Sequence, residues 1–155
     1  MKRTLLALFL MLLAATGAQA DQLLMARSGL AFPEAMLALQ EAISERGYTV
    51  SRVQRVDIGL TSSGYQTDKY RVVFFGKPEE IRALAERHPQ LIPYLPIKVT
   101  IFAEGEDTLV VTANPVEYIA FIDDPEVEAT IRRWQRDIGA ILDTLRERGG
   151  EFTAP

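Results

Sequence analysis

The 155-residue chain contains no cysteine and one histidine, His88. Without cysteine there are no disulfides, zinc–thiolate sites, iron–sulfur clusters or C-x-x-C-H haem attachment, so stability has to come from an ordinary hydrophobic core. His88, with Met25 and Met36 the only methionines beyond residue 20, is a poor ligand set for haem or a transition metal. A membrane-spanning run is missing too. The longest apolar stretch, residues 5–15, has 11 residues, against roughly 20 needed to cross a bilayer as a helix.

What the first 20 residues do contain is Lys2 and Arg3, that apolar run, and then Ala18-Gln19-Ala20 before Asp21. This is the grammar of a cleaved secretory signal peptide. The periplasm is the first expectation for its destination and the extracellular medium the second. With Lys2 and Arg3 removed, 15 basic residues face 21 acidic ones, a net charge of −6. An acidic domain of 135 residues lacks the electrostatic footprint of a nucleic-acid or anionic-membrane binder. It is long enough to bury one substantial core.

Along the mature chain, residues 23–26 suit a first strand. Pro33 and Glu34 open a helix whose apolar positions Met36, Leu39 and Ile43 recur at helical spacing up to Gly47. From Tyr48 the period becomes two through Val53, Val56, Ile58 and Leu60, predicting a strand with a bulge at Ser51-Arg52. Residues 69–75 return as its hairpin partner. A helix over 79–88 ends at Pro89, and residues 91–96, with Pro93 and Pro96, read as a constrained loop. Residues 97–103 and 108–113 alternate as a second hairpin, and residues 116–122 suit a short helix.

Asp124-Pro125-Glu126 then starts a long helix that Gly149-Gly150 stops. Its apolar residues Val127, Ile131, Trp134, Ile138, Ile141 and Leu145 are spaced 4, 3, 4, 3, 4. Such a stripe either lies across a sheet or forms a homodimer seam. The order β-α-β-β-α-β-β-α predicts an α+β fold, an antiparallel sheet of about five strands covered by helices. The expected organisation is a leader over 1–20, an α+β domain over 21–122, the helix over 123–148 and a tail over 149–155.

The Gly76-Lys77 turn after Val73-Phe74-Phe75 invites comparison with a phosphate-binding loop. That loop needs G-x-x-x-x-G-K-[ST]. Here Phe74-Phe75 stand where the loop should begin, and Pro78 replaces the hydroxyl residue and removes a donor N–H. A tight turn is the better reading.

Phe75-Gly76-Lys77-Pro78, the helix after it, His88-Pro89, Leu95-Pro96-Ile97-Lys98-Val99, the strand over 108–113 and Gly47-Tyr48-Thr49-Val50 together resemble the signature of domain-of-unknown-function family 302. The resemblance covers roughly residues 28–115. It implies a compact fold of the TATA-binding-protein-like kind and no agreed activity. Lys77 stands where asparagine is usual in the family, and the long helix over 125–148 departs from its pattern as a C-terminal extension.

For chemistry, His88 suits a helix C-terminus, where the dipole favours its cation. Ser62-Ser63-Gly64 has no G-x-S-x-G context, and His88 has no evident orienting acid nearby in sequence. The acidic clusters Glu79-Glu80, Glu104-Glu106-Asp107 and Asp123-Asp124 sit at turns or helix starts and lack calcium-ligand spacing. Tyr65, Tyr70, Tyr94 and Tyr118, with Lys77 and Asn114, are placed to line a pocket.

The expectation is a periplasmic binding or interaction domain without a catalytic constellation or cofactor, taking an unknown small molecule or an envelope protein. The ligand-binding candidates are Lys77, His88, Tyr94 and Asn114. The alternative is an enzyme or haem/metal-binding protein with a site near Gly76-Lys77, His88 and Tyr94.

Overall fold

A computed structural model describes residues 22–150. The expected leader over 1–20 and the last five residues of the tail lie outside the described residues. Five strands, β1 (Leu23–Ser28), β2 (Thr49–Arg55), β3 (Tyr70–Gly76), β4 (Ile97–Glu104) and β5 (Asp107–Ala113), form one antiparallel sheet in the order β1-β5-β4-β3-β2. The helices are α1 (Phe32–Glu45), α2 (Val56–Ser62), α3 (Pro78–Arg87) and α4 (Pro125–Arg148). Two 3-10 turns, Pro89–Tyr94 and Pro115–Phe121, complete the chain.

Alternation along the strands sends one set of side chains to the helices. Val73 faces Val99, Ile101 faces Val110, and Val110 faces Ala26, all in register and all buried. Over them lie Leu39 and Ile43 of α1 and the whole α4 stripe of Val127, Ile131, Trp134, Ile138, Ile141 and Leu145. Each stripe residue is at most 2% exposed. The stripe is therefore consumed inside the protomer, which overturns it as a dimer seam. A helix lying on a sheet needs the same apolar spacing as one lying on its twin.

The start of α4 is built as its sequence requires. The Asp124 carboxylate accepts hydrogen bonds from the backbone N–H of Glu126 (2.9 Å) and Val127 (3.3 Å), with Pro125 in the first turn. At the other end α4 closes against β1. Ser28 Oγ donates to Leu145 O at 2.8 Å, and Gly29 and Gly149 approach so closely that a Cβ at Gly149 would lie 2.6 Å from Gly29 N.

The structure departs from the sequence reading in three places. The alternation through Val56, Ile58 and Leu60 belongs to α2 and not to a strand; β2 stops at Arg55. No α2 residue is buried, so there was no core face for that alternation to serve, and the pairing of Asp57 with Arg71 draws the chain off the sheet. The proline-rich segment after α3 is a 3-10 turn over Pro89–Tyr94, with Pro93 inside it, rather than the constrained loop expected. Strand β1 runs two residues further than expected because Arg27 and Ser28 pair with Leu109 and Thr108. The β2 bulge falls between Val50 and Arg52, as the broken alternation predicts.

Candidate functional site

The other set of strand side chains is left uncovered by the helices. It comprises Tyr70, Val72 and Phe74 of β3, Lys98, Thr100 and Phe102 of β4, and Leu109, Val111 and Ala113 of β5. The register puts Phe74 directly between Arg52 and Lys98, and Thr100 directly between Val72 and Val111. Tyr70 and Phe102 meet edge to face, with ring centroids 6.4 Å apart. A cavity of about 340 Å³ lies on this face, lined by Tyr70, Val72, Phe74, Lys98, Thr100, Val111 and Tyr118 among others. A second cavity of about 340 Å³ shares Tyr70 and Thr100 with it and continues to Phe102, Lys69, Asp68 and Thr67. Together they make an elongated groove along β3 and β4.

Tyr118 lines one end of the groove, in an aromatic wall that it builds with Tyr94 and Phe121 of the two 3-10 turns. Tyr94 stacks on Phe121 (centroids 5.4 Å apart, planes at 29°) and packs against Tyr118 at 4.5 Å. Proline starts each turn where its missing N–H costs nothing, and Asn114 Oδ1 accepts from Val116 N at 3.3 Å to set the second. The Leu95–Pro96 peptide that leads into β4 is cis. Burial pushes the Tyr118 phenol above its ordinary pKa, with the Tyr94 phenol adding to the effect.

A second polar cluster lies beyond the covered face, where α1 ends and α3 meets α4. Trp134 Nε1 donates to Glu80 Oε1 at 2.9 Å, and Arg133 pairs with the same carboxylate. Arg133 also donates to the Tyr48 hydroxyl at 3.1 Å, which in turn donates to Asp137. Lys77 Nζ stands 5.0 Å from the Tyr48 ring centroid, a cation–π distance. Burial, then the bond to Asp137, pushes the Tyr48 phenol well up. The Gly76 backbone is needed here for close packing: a Cβ on it would lie 2.7 Å from Ile81 Cγ1. Acids Glu79 and Glu80 occupy the start of α3, in keeping with a tight turn and not a phosphate cradle.

The four ligand candidates from the sequence separate. Tyr94 belongs to the aromatic wall, and Asn114 sits at the start of the same wall's second turn, 2% exposed. Lys77 belongs to the Tyr48 cluster. His88 caps α3, and its Nε2 lies 3.1 Å from Asp124 Oδ2 though out of line for a hydrogen bond. The acid beside His88 that the sequence did not reveal is Asp124, brought from the start of α4 by the meeting of two helix ends. Desolvation opposes the Asp124 charge. The two backbone N–H bonds, His88 and Arg87 outweigh it and hold the carboxyl below its usual range.

The residues missed outright are Phe74, Lys98, Thr100 and Val72. Val72 and Phe74 had a signal in the run Val72-Val73-Phe74-Phe75, apolar on both faces of β3 and so too apolar for a sheet face left to water, whereas Lys98 and Thr100 had none. Among the described residues, no three His, Cys, Asp or Glu side chains are grouped to hold a metal ion. No helix among them is long and apolar enough to cross a membrane.

No curated protein matches the chain. Its fold resembles the crystal structure of an uncharacterized conserved protein, DUF302, from Bacillus stearothermophilus, with a TM-score of 0.73 and 18% identity over 82% of this chain and 100% of that one. At that identity the likeness speaks for the fold alone. The family model described as "Domain of unknown function DUF302" matches residues 25–145. That span takes in most of α4, so the long helix is part of the matched domain and not an appendage to it. The fold and this match agree: the chain belongs to the DUF302 family.

Proposed function

We propose that this chain is a binding domain of the bacterial periplasm, or of the extracellular medium, that holds a small molecule in the groove on the open face of its sheet without transforming it. One observation carries the reading. Half-buried aromatic and aliphatic side chains of β3, β4 and β5 line a concave, elongated groove with an aromatic wall at one end. Ligand sites are generally concave and mostly apolar with a few polar groups to fix orientation, and this groove has that make-up. The export reading rests on the pattern of residues 1–20. A binding role fits better than a catalytic one because no nucleophile, base and oxyanion donor converge in the groove.

Native mass spectrometry of the mature protein, purified from its own host, tests this reading. An organic adduct is expected on the wild type and is expected to be lost in Phe74→Asp, which places a charge on the groove floor. A bare mass for the wild type, with no thermal shift from a panel of aromatic and aliphatic compounds, would overturn it.

A further inference from the structure

Most cations of this acidic chain are paired: Arg27, Arg71, Arg82, Arg87, Arg132, Arg133, Arg146 and Arg148 each face a carboxylate. The two beside Phe74 are among the described cations that do not. Lys98 and Arg52 flank Phe74 in register, on strands either side of it. That sets their backbones about 10 Å apart, two strand spacings. Both are exposed, and neither makes an ion pair with any described residue. Lys98 lines the cavity beneath Tyr118. From Phe74 the groove runs on over Val72 to the apolar surface of Tyr70 and Phe102, and at its far end Lys69 stands beside Asp68 and over the Phe32 ring.

Resting on the groove reading above, we infer that the ligand is an anionic amphiphile of small-molecule size. Its carboxylate, sulfonate or phosphate head sits between Lys98 and Arg52, and its aromatic or aliphatic body lies along Phe74, Val72 and Tyr70. Two unpaired cations on either side of one aromatic ring supply the charge complementarity. A cationic ligand would be repelled by them and drawn to the acidic remainder of the surface.

The test uses the full mature chain and two probes that share a body but differ in charge. These are 1-anilinonaphthalene-8-sulfonate and its neutral counterpart N-phenyl-1-naphthylamine, both followed by fluorescence titration. Amide chemical shifts locate the probe on β3 and β4. The double variant Lys98→Met, Arg52→Met keeps the aliphatic bulk and removes both charges at exposed positions. It is expected to melt with the wild type.

The variant is expected to bind the sulfonate about tenfold or more weakly and the neutral probe as the wild type does. Raised salt is expected to weaken only the sulfonate. Equal sulfonate affinity in variant and wild type would overturn the anionic head while leaving the groove intact. If Phe74→Asp changes the affinity of neither probe, the groove reading itself fails and the inference fails with it.

Discussion

The indole N–H of Trp134 donates to Glu80 Oε1 at 2.9 Å, joining α4 to the first turn of α3 through the chain's single tryptophan. Trp134 is buried, so Glu80→Ala strands its donor and also takes one carboxylate from Arg133, which keeps Asp137 and Tyr48. A loss of about 1–3 kcal/mol is expected, read from urea unfolding followed by tryptophan fluorescence. Glu80→Gln keeps an acceptor for the indole while giving up the ion pair, and should cost less. Equal losses for the two substitutions would mean that the indole bond contributes nothing.

The pH dependence of stability should fall off at both ends for identifiable reasons. Asp57, held low chiefly by its bond from Arg71, and Asp124 both have carboxyls depressed in the folded state. Their contribution is full above the unfolded carboxyl range and is lost as pH falls through the lowered values. Asp57→Asn should flatten the acid limb of a melting-temperature profile. At the alkaline end the raised Tyr48 phenol acts in the opposite sense, because the folded state keeps a proton that the unfolded state gives up above about pH 10. Tyr48→Phe should soften the fall above that pH. An unchanged alkaline limb would count against the phenol as its source.

Ile138 tests the fate of the α4 stripe. Truncation to alanine leaves a cavity between the helix and the sheet and should cost about 2–5 kcal/mol, seen as a lowered urea midpoint. The molecular mass in solution should match the wild type. A mass that halves in Ile138→Ala would restore the stripe to an interface between copies.

Gly149 should tolerate no side chain, although its backbone angles are ordinary (φ −80°). An added Cβ would sit 2.4 Å from Ser28 Oγ and 2.6 Å from Gly29 N. Overpacking of this kind costs about 1–3 kcal/mol. Differential scanning calorimetry of Gly149→Ala should show a lower midpoint, whereas Gly139→Ala, where a Cβ meets nothing within 4 Å, should not.

Much of the fold was legible because its signals are local. Asp124-Pro125 and Gly149 bracket α4, and alternation marks β4 and β5 within a residue of their ends. Segment 56–62 was misread because hydrophobic alternation reports a strand only where one face is buried, and α2 has no buried face. The site was less legible. Tyr94 and Asn114 could be found from the prolines beside them, but Phe74 and Lys98 acquire their meaning only from the register of β2, β3 and β4. The Asp124 partner of His88 likewise depends on two helix ends meeting. Neither relationship has a counterpart in sequence spacing.

The docking of Ser28 on Leu145 has a consequence for how the molecule folds. The first strand pairs with the last strand, and its final residue is tied to the final helix. The most distant parts of the domain are thus each other's neighbours. The hairpins β2–β3 and β4–β5 can form early from nearby residues. Strand β1 has no sheet edge to join until β5 exists, and no lid until the last turn of α4 has emerged. Closing such large loops is entropically the late step. A nascent chain ending short of Leu145 therefore presents an unfinished, apolar sheet, available to whatever chaperone accompanies it.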